Sequence, residues 1–423
     1  MNALPPTLSI VIPTYNRAGL LRACLVSLSK QTQPGADYEV IVVMDGSTDD
    51  SQSMMTGLRP PYHLRRMWQA NAGASAARNH GARLARGEWV LFLDDDMQAD
   101  PELVAAYLAA ARSQGPALLL GQVVTRLAPG ADWFAREFGR EWAEHYAALN
   151  GGRAPTWQDC YAGSVAVPRG ALEQSGGWAE DLRRNEDLEF GYRIQKLGLP
   201  LRYVAGALST QDLDKGFRQL TTDVLKTGAA SVAMQRRHPE LLPAQLGRFG
   251  ETNWTDMLAR RAVLGLRLPP AALGWLGRLL RQPEARWRWY RFVYSCAFWR
   301  GVRAAMPADE WQRLTSGTVI LMYHGFSAPG EAWGRFTLPV RRFEQHMAWL
   351  KFWRYNVISL DEYLDYRRQH RLSPPRSVVI TIDDGYADNE TLALPVLRRY
   401  GFPATIFLVS QHLGGANEWD RGK

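Results

Sequence analysis

The sequence predicts an α/β protein whose first part is a mostly parallel, Rossmann-like sheet. Three observations carry this. Short apolar runs, "LSIVIPTYN", "YEVIVVMDG" and "EWVLFLDDD", read as buried strands. Segments with helical spacing, "AGLLRACLVSLSKQ" and "NAGASAARNHGARLARG", lie among them. The runs also end in polar or acidic residues, Asn16, Asp45 and Asp94-Asp95-Asp96. Strands that alternate with helices build parallel sheets covered on both faces, and such sheets bind ligands outside the carboxyl ends of their strands.

Each element follows in order. The first strand starts near Leu8 and stops at the Pro13–Asn16 turn. Leu20, Leu21, Cys24, Leu25 and Leu28 make the apolar face of the first helix. The second strand stops at Asp45-Gly46-Ser47, a turn signal. A small-residue helix precedes the strand that runs into the three aspartates. Residues 103–235 are mixed, with helix signals at 101–114 and 186–197. Residues 236–315 read as helical pieces interrupted by Pro239, Pro243, Pro269, Pro270, Pro283 and Pro307. A new strand-helix alternation begins at Gly317, with "TVILMYHGF", "VRRFEQHMAWLKFW", "SVVITIDDGYADN" and "PATIFLV". The expected domains are therefore 1–235, a basic helical segment 236–315, and 316–423.

Composition bounds the function. The 423 residues are 46% hydrophobic, enough for two or three domains with cores. Cys24, Cys160 and Cys296 are far apart, which argues against a disulfide framework and fits a reducing, cytoplasmic setting. No apolar run is long enough for a transmembrane helix, and the N-terminus reads as a strand and not as a secretion signal. No zinc-ligand spacing occurs. The segment 236–315 carries 14 Arg, no Lys and 6 Asp or Glu, so it holds the whole net charge of +8.

Three adjacent carboxylates repel one another, and a strand end that carries them needs a reason. Mg²⁺ or Mn²⁺ is commonly held by one or two carboxylates together with substrate phosphates. That reading needs a nucleotide pocket nearby. Asp45 is placed to accept hydrogen bonds from a base or ribose, and Arg78 to support a phosphate or to form a structural ion pair. Glu186-Asp187 opens a helix whose expected inward face is Leu188, Tyr192 and Leu197. A carboxylate there is either a helix N-terminal feature or a general base facing an acceptor hydroxyl. Asn16 reads as a turn cap or as a ligand contact.

"SIVIPTYNR", "VIVVMDGSTDDS", "NAGASAARNHGARLARGEWVLFLDDD", "GGW" and "NEDLEFGYRIQKLG" together resemble the family 2 glycosyltransferases of GT-A fold, over roughly residues 7–235. The resemblance implies an inverting transfer from a nucleotide-diphosphate sugar with Mg²⁺ or Mn²⁺. It implies that Asp94 and Asp96 form the metal-binding pair, that Asp45 meets the nucleobase, and that Asp187, beside Glu186, is the base. Pro13, Tyr15, Asn16, Arg78 and Asp95 join the expected nucleotide-binding set. Two departures stand out. Met44 replaces an acid common before Asp45, and Ser164 stands where Asn is common. The QxxRW motif that accompanies processive synthesis in this family is missing, which favours single addition.

"SVVITIDDGYADN", "LMYHGF" and "PATIFLV" resemble the start of a NodB-type polysaccharide deacetylase, over about residues 316–423. The family implies a distorted (β/α) barrel, with Asp383 as general base and Asp384 as a metal ligand. Its two histidine ligands are expected downstream of residue 423. Neither His324 nor His412 stands at the matching spacing from another histidine. The expectation is a truncated barrel that is inactive as given.

"RWRWYRFVYSCAFWRGVR", residues 286–303, would place Trp289, Phe292, Cys296 and Trp299 on one helical face. It reads either as a helix packed on the transferase or as a peripheral membrane contact at the inner face of the cell membrane. No nucleic-acid module accompanies the charge. The functional expectation is a cell-envelope or exopolysaccharide enzyme with a glycan or lipid-linked acceptor. The rivals are a carbohydrate deacetylase as the main activity and a non-catalytic nucleotide-sugar binder.

Overall fold

The computed structural model describes residues 6–246, 249, 254–266, 268–331 and 336–415. Parts of the two expected regions, including Arg248 and the closing residues 416–423, lie outside the described residues. The chain divides into two compact units, Met1–Met234 with Arg267–Val302, and Gln235–Leu266 with Arg303–Lys423. The basic middle segment is thus shared between them.

The first unit is built on one eight-stranded sheet. Its strands are β1 (Leu8–Thr14), β2 (Tyr38–Asp45), β3 (His63–Gln69), β4 (Trp89–Leu93), β5 (Met97–Ala99), β6 (Leu118–Leu127), β7 (Ser164–Pro168) and β8 (Leu201–Leu213). Their spatial order is β3-β2-β1-β4-β7-β6-β8-β5. The strands β3, β2, β1 and β4 run parallel, with Val11 opposite Ile41 on one side and Phe92 on the other. β7 is antiparallel to both β4 and β6. The sequence anticipates the parallel half. The half beyond β4 is mixed, because β7 reverses the direction.

The helices are α1 (Ala18–Leu28), α2 (Ser51–Thr56), α3 (Ala74–Leu84), α4 (Leu103–Gln114), α5 (Trp133–Asn150), α6 (Arg169–Ser175), α7 (Glu186–Lys196) and α8 (Phe217–Arg237). Two apolar clusters cover the sheet. Leu21, Cys24, Leu25 and Leu28 of α1 belong to one, with Ile10, Val42 and Leu91. Phe190 and Ile194 of α7 belong to the other, with Val11, Phe92 and Trp178. Two helix faces differ from expectation. Leu20 of α1 is turned to solvent. In α7 the buried positions are Glu189, Phe190, Gly191 and Ile194, whereas Leu197 is exposed. The aromatic pair of Trp178, stacked on Phe190 at 4.4 Å and edge-on to Phe92 at 4.9 Å, rotates the helix to that face.

The helix Pro283–Ala305 also departs from its expected face. Tyr290, Val293, Cys296, Ala297, Trp299 and Val302 are its buried residues, and Trp289 and Phe292 are half-buried. It packs against α5 and α8. Tyr290 meets the ring of Phe217 at 4.7 Å, and Tyr294 meets Phe134 at 5.8 Å. A Cβ at Gly301 would run into the Leu225 carbonyl, so the two backbones touch there. This helix, through Val302, is part of the first unit. Among the described residues, no helix is long and apolar enough to cross a membrane.

In the second unit, β9 (Thr318–Tyr323) pairs in parallel with β13 (Ser377–Ile382). β12 (Asn356–Val357) and β14 (Thr405–Ile406) share the other edge of β13. β10 (Gly325–Ser327) and β11 (Thr337–Pro339) form a separate pair. Phe343, Met347, Val378, Ile380 and Ile382 lie in its core. This matches the expected start of a parallel barrel.

Candidate active site

The carboxyl ends of β1, β2 and β4 carry the expected residues. Asp45 is buried, and its carboxylate accepts hydrogen bonds from Gln69 Nε2 at 2.8 Å and from the backbone N–H groups of Ala72 at 2.8 Å and Gly73 at 2.7 Å. It anchors the loop that enters α3. Gly46 beside it has φ +76°, and a Cβ there would meet Asn71 N at 2.8 Å. Only glycine takes this turn without strain. Asn16, at φ 52°, accepts from the Thr48 N–H at 2.7 Å, and its own N–H donates to Ser47 Oγ at 3.1 Å. The turn-cap reading of Asn16 therefore describes its contacts. Pro13 is buried within β1, and Tyr15 is half exposed at the strand end. Met44 is buried in the apolar core, so the position before Asp45 faces inward.

The three aspartates have three surroundings. Asp95 is buried and accepts from Thr14 Oγ1 and from Arg17 Nη1, each at 2.7 Å. Burial pushes its carboxyl up to about 6, against the pull of Arg17. Asp96 accepts from Gln211 Nε2 at 3.1 Å and lies 3.3 Å from Arg17. Burial, then the neighbouring Asp94, raises its pKa as well. Asp94 is the most open of the three and pairs with Arg78 at 2.8 Å. Asp94 and Asp96 keep hard oxygen donors beside one another. The strain of the cluster is of the kind a divalent cation relieves. Among the described residues, no group of three or more His, Cys, Asp or Glu side chains is placed to hold a metal ion by itself.

Arg78 joins the two acidic motifs. From α3 it reaches Asp94 at 2.8 Å and Glu186 at 3.2 Å, and its guanidinium lies 4.9 Å from the centre of the Trp178 ring. Burial weakens it as a cation, but Asp94 and Glu186 outweigh that and hold its pKa above the usual arginine value. The ion-pair reading of Arg78 thus accounts for its contacts. Asn79, the next residue, exchanges hydrogen bonds with the Trp178 backbone at 2.8 and 2.9 Å. The Gly-Gly-Trp segment therefore locks the ring under the arginine. Asp187 follows Glu186 in the first turn of α7. Burial and the adjacent Glu186 push its carboxyl up to about 7.

Asp94, Arg78, Glu186 and Asp187 line a cavity of about 360 Å³. Phe138, Trp142, Tyr146, Tyr161 and Tyr294 line it with them. Trp142 and Tyr161 meet edge-to-face at 4.5 Å. Arg184 and Lys215 also line the cavity and share Asp223, at 2.7 and 2.8 Å. Ser164 is buried behind it and bonded to the Tyr107 hydroxyl at 2.9 Å, so it presents nothing to a ligand. The cavity is highly charged: Arg78, Asp94, Arg184, Glu186, Asp187, Lys215 and Asp223 line it beside the rings. Sequence reasoning misses Arg17, Gln211, Arg184, Lys215 and the aromatic wall. The wall does leave a signal: Phe134, Phe138, Trp142 and Tyr146 recur every fourth residue along α5.

Asp383 and Asp384 belong to the second unit, at the end of β13. The Asp383 N–H donates to the Tyr323 carbonyl at 2.8 Å, and Asp384 has φ 71°. The His324 carbonyl accepts from Asn389 Nδ2 at 2.9 Å, and its ring lies 5.3 Å from that of Phe336.

Residues 9–176 match the Glycosyl transferase family 2 model, and residues 370–421 match Polysaccharide deacetylase. The chain therefore carries a family 2 glycosyltransferase region followed by a deacetylase region. It is 29% identical over 269 residues to validoxylamine A glucosyltransferase of Streptomyces hygroscopicus subsp. jinggangensis (strain 5008), covering 56% of this chain and 62% of the relative. It is 38% identical over 95 residues to the putative polysaccharide deacetylase YxkH of Bacillus subtilis (strain 168), covering 22% of this chain and 33% of the relative. The chain thus spans only part of the length of these relatives. Among solved structures it resembles the mannosyltransferase PcManGT from Pyrobaculum calidifontis in complex with GDP-Man and Mn²⁺. The TM-score is 0.51 at 20% identity, over 70% of this chain and 87% of that one, a likeness of fold.

Proposed function

We propose that the first unit, with its family 2 glycosyltransferase region, moves a sugar from a nucleotide-diphosphate sugar to a glycan or lipid-linked acceptor, with inversion. The observation that carries this is the shared cavity: Asp94 and Asp187 line it together with the rings of Phe138, Trp142, Tyr146, Tyr161 and Tyr294. The aromatic rings would hold the apolar face of the acceptor. Asp187, pushed up to about 7, is poised to take the acceptor hydroxyl proton near neutrality. The acceptor oxygen bonds to the anomeric carbon as the bond from that carbon to the diphosphate breaks, and the proton stays on Asp187. One such displacement inverts the anomeric configuration.

Asp94 and Asp96 would hold Mg²⁺ or Mn²⁺, which when bound neutralises charge developing on the leaving diphosphate. The Mn²⁺ and GDP-Man named for PcManGT agree with this choice of donor and metal. Pro13, Tyr15, Asn16 and Asp45 would shape the nucleoside site, Asp45 by fixing the loop before α3. Arg78 holds Asp94 and Glu186 in place, and Asp95 fixes the strand end through Thr14 and Arg17. A cytoplasmic setting suits this chemistry.

In the second unit, Asp383 would act as base and Asp384 as a metal ligand in removing acetyl groups from a carbohydrate, the reading that the deacetylase region supports.

The test pairs binding with turnover. Asp187→Asn should still bind the nucleoside diphosphate while release of that product from a nucleotide sugar falls by about 10²–10⁴-fold, the usual weight of a general base. A variant as active as the wild type would sink the assignment.

A further inference from the structure

We propose that the first unit docks on an anionic phospholipid surface, through the helix Pro270–Gly277 and the turn that follows it, and not through the face of residues 286–303. Three observations carry the inference. First, the outward residues of this short stretch are large and apolar: Leu268 is 38% exposed, Trp275 57%, Leu276 41% and Leu279 63%. A tryptophan beside leucines is the usual composition of a membrane-interface surface. Second, the stretch is fixed in place and cannot simply fold its apolar face away. Leu273 is buried, its carbonyl accepts from Trp289 Nε1 at 2.8 Å, and Arg286 donates to the Gly277 and Arg278 carbonyls at 3.2 and 3.1 Å.

Third, the charge around the patch is mostly basic. Between Leu268 and Arg291 stand Arg278, Arg281, Arg286, Arg288 and Arg291 against the single acid Glu284. Arg278, Arg281 and Arg288 are exposed, and among the described residues none has a carboxylate partner. Beside the patch lies a cavity of about 400 Å³, lined by Arg218, Arg278, Arg286, Trp133 and Trp275, and by Asp132, whose carboxylate is taken up by the Ala135 and Phe217 N–H groups. It suits a lipid phosphate at headgroup depth. Apolar anchors beside the exposed Arg278 and Arg281, with Arg288 nearby, complement an anionic bilayer, where each basic residue adds to the attraction.

The position also deepens the transferase reading, on which this step rests: α5 runs from Trp133 and Phe134, beside the patch, to Phe138, Trp142 and Tyr146 in the aromatic cavity, at about 1.5 Å of rise per residue. A lipid-linked acceptor anchored at the patch would have its sugar near Asp187.

The test is cosedimentation of the full chain with phosphatidylcholine vesicles, with and without a third of phosphatidylglycerol. The wild type should pellet with the anionic vesicles, and should be released by salt. Arg278→Gln with Arg281→Gln should lower partitioning about five-fold per arginine, and Trp275→Ser with Leu279→Ser should abolish it. Arg367→Gln with Arg368→Gln removes as much charge elsewhere and should change nothing. All these side chains are exposed, so unchanged melting checks the fold. The proposal is overturned if folded wild type ignores anionic vesicles. It is also overturned if the control pair lowers binding as much as the patch pair, or if Trp275→Ser with Leu279→Ser instead dissolves a dimer formed without lipid. Loss of pelleting with transfer to a soluble acceptor intact would separate this surface from the catalytic reading.

Discussion

Replacing Arg78 by methionine would leave two carboxylates facing one another without their cation. The Arg78 side chain is 4% exposed, Asp94 29% and Glu186 17%. Breaking a fully buried ion pair costs about 3–5 kcal/mol, and an exposed one about 0–1. The cation here is buried but both anions keep some water, so the cost should be about 2–4 kcal/mol, including the lost contact with Trp178. For a unit of this size that lowers the melting transition by about 4–16 °C. Differential scanning calorimetry of Arg78→Met, Glu186→Gln and the double variant supplies the coupling. The double variant should melt above Arg78→Met, because it removes one of the stranded anions, with a coupling of at least about 1 kcal/mol. If Arg78→Met melts within 2 °C of wild type, in the range of an exposed pair, the ion-pair account of the site is wrong. Strict additivity of the two changes would refute it equally.

Other outcomes follow from the same geometry. Transfer should rise with pH through about 7, because Asp187 acts as base only when ionised and burial holds its proton up to that point; a flat profile between pH 6 and 8 would contradict its role. Ionised Asp187 is also the form that folding disfavours: its folded pKa lies above its unfolded one, so its contribution to stability is present at low pH and lost as pH rises toward 7. Asp187→Asn should therefore flatten that part of a melting-versus-pH curve. Trp142→Ala should raise the KM for the acceptor and leave donor binding unchanged, as measured by initial rates and by nucleotide titration. Gly46→Ala should destabilise the first unit by about 1–3 kcal/mol, since φ is +76° and the new Cβ meets Asn71, and denaturant unfolding would read it.

The parallel half of the sheet is legible in the sequence because β1, β2 and β4 are continuous apolar runs buried on both faces. β6 and β8 are not, because their later residues are half-buried and their pairing shifts between Gly121 and Gln122, so no simple alternation survives. The acidic motifs stand out because clustered charge is costly without a purpose. Arg78 is legible as a phosphate contact or an ion pair, but nothing in its small-residue helix tells that Asp94 and Glu186 are the acids it meets. Helix faces were the weakest reading. In α7 the stack of Phe190 on Trp178, a ring twelve residues earlier and outside the helix, decides which side is buried. In the helix Pro283–Ala305, arginines and aromatics alternate so closely that composition alone permits either face.

Calorimetric titration of UDP, GDP and dTDP, with and without Mn²⁺, on wild type and Asp96→Ala tests the central claim most directly. One nucleoside diphosphate should bind wild type only with the metal, and its binding should vanish in Asp96→Ala. A folded wild type that binds none of the three would contradict the transferase account.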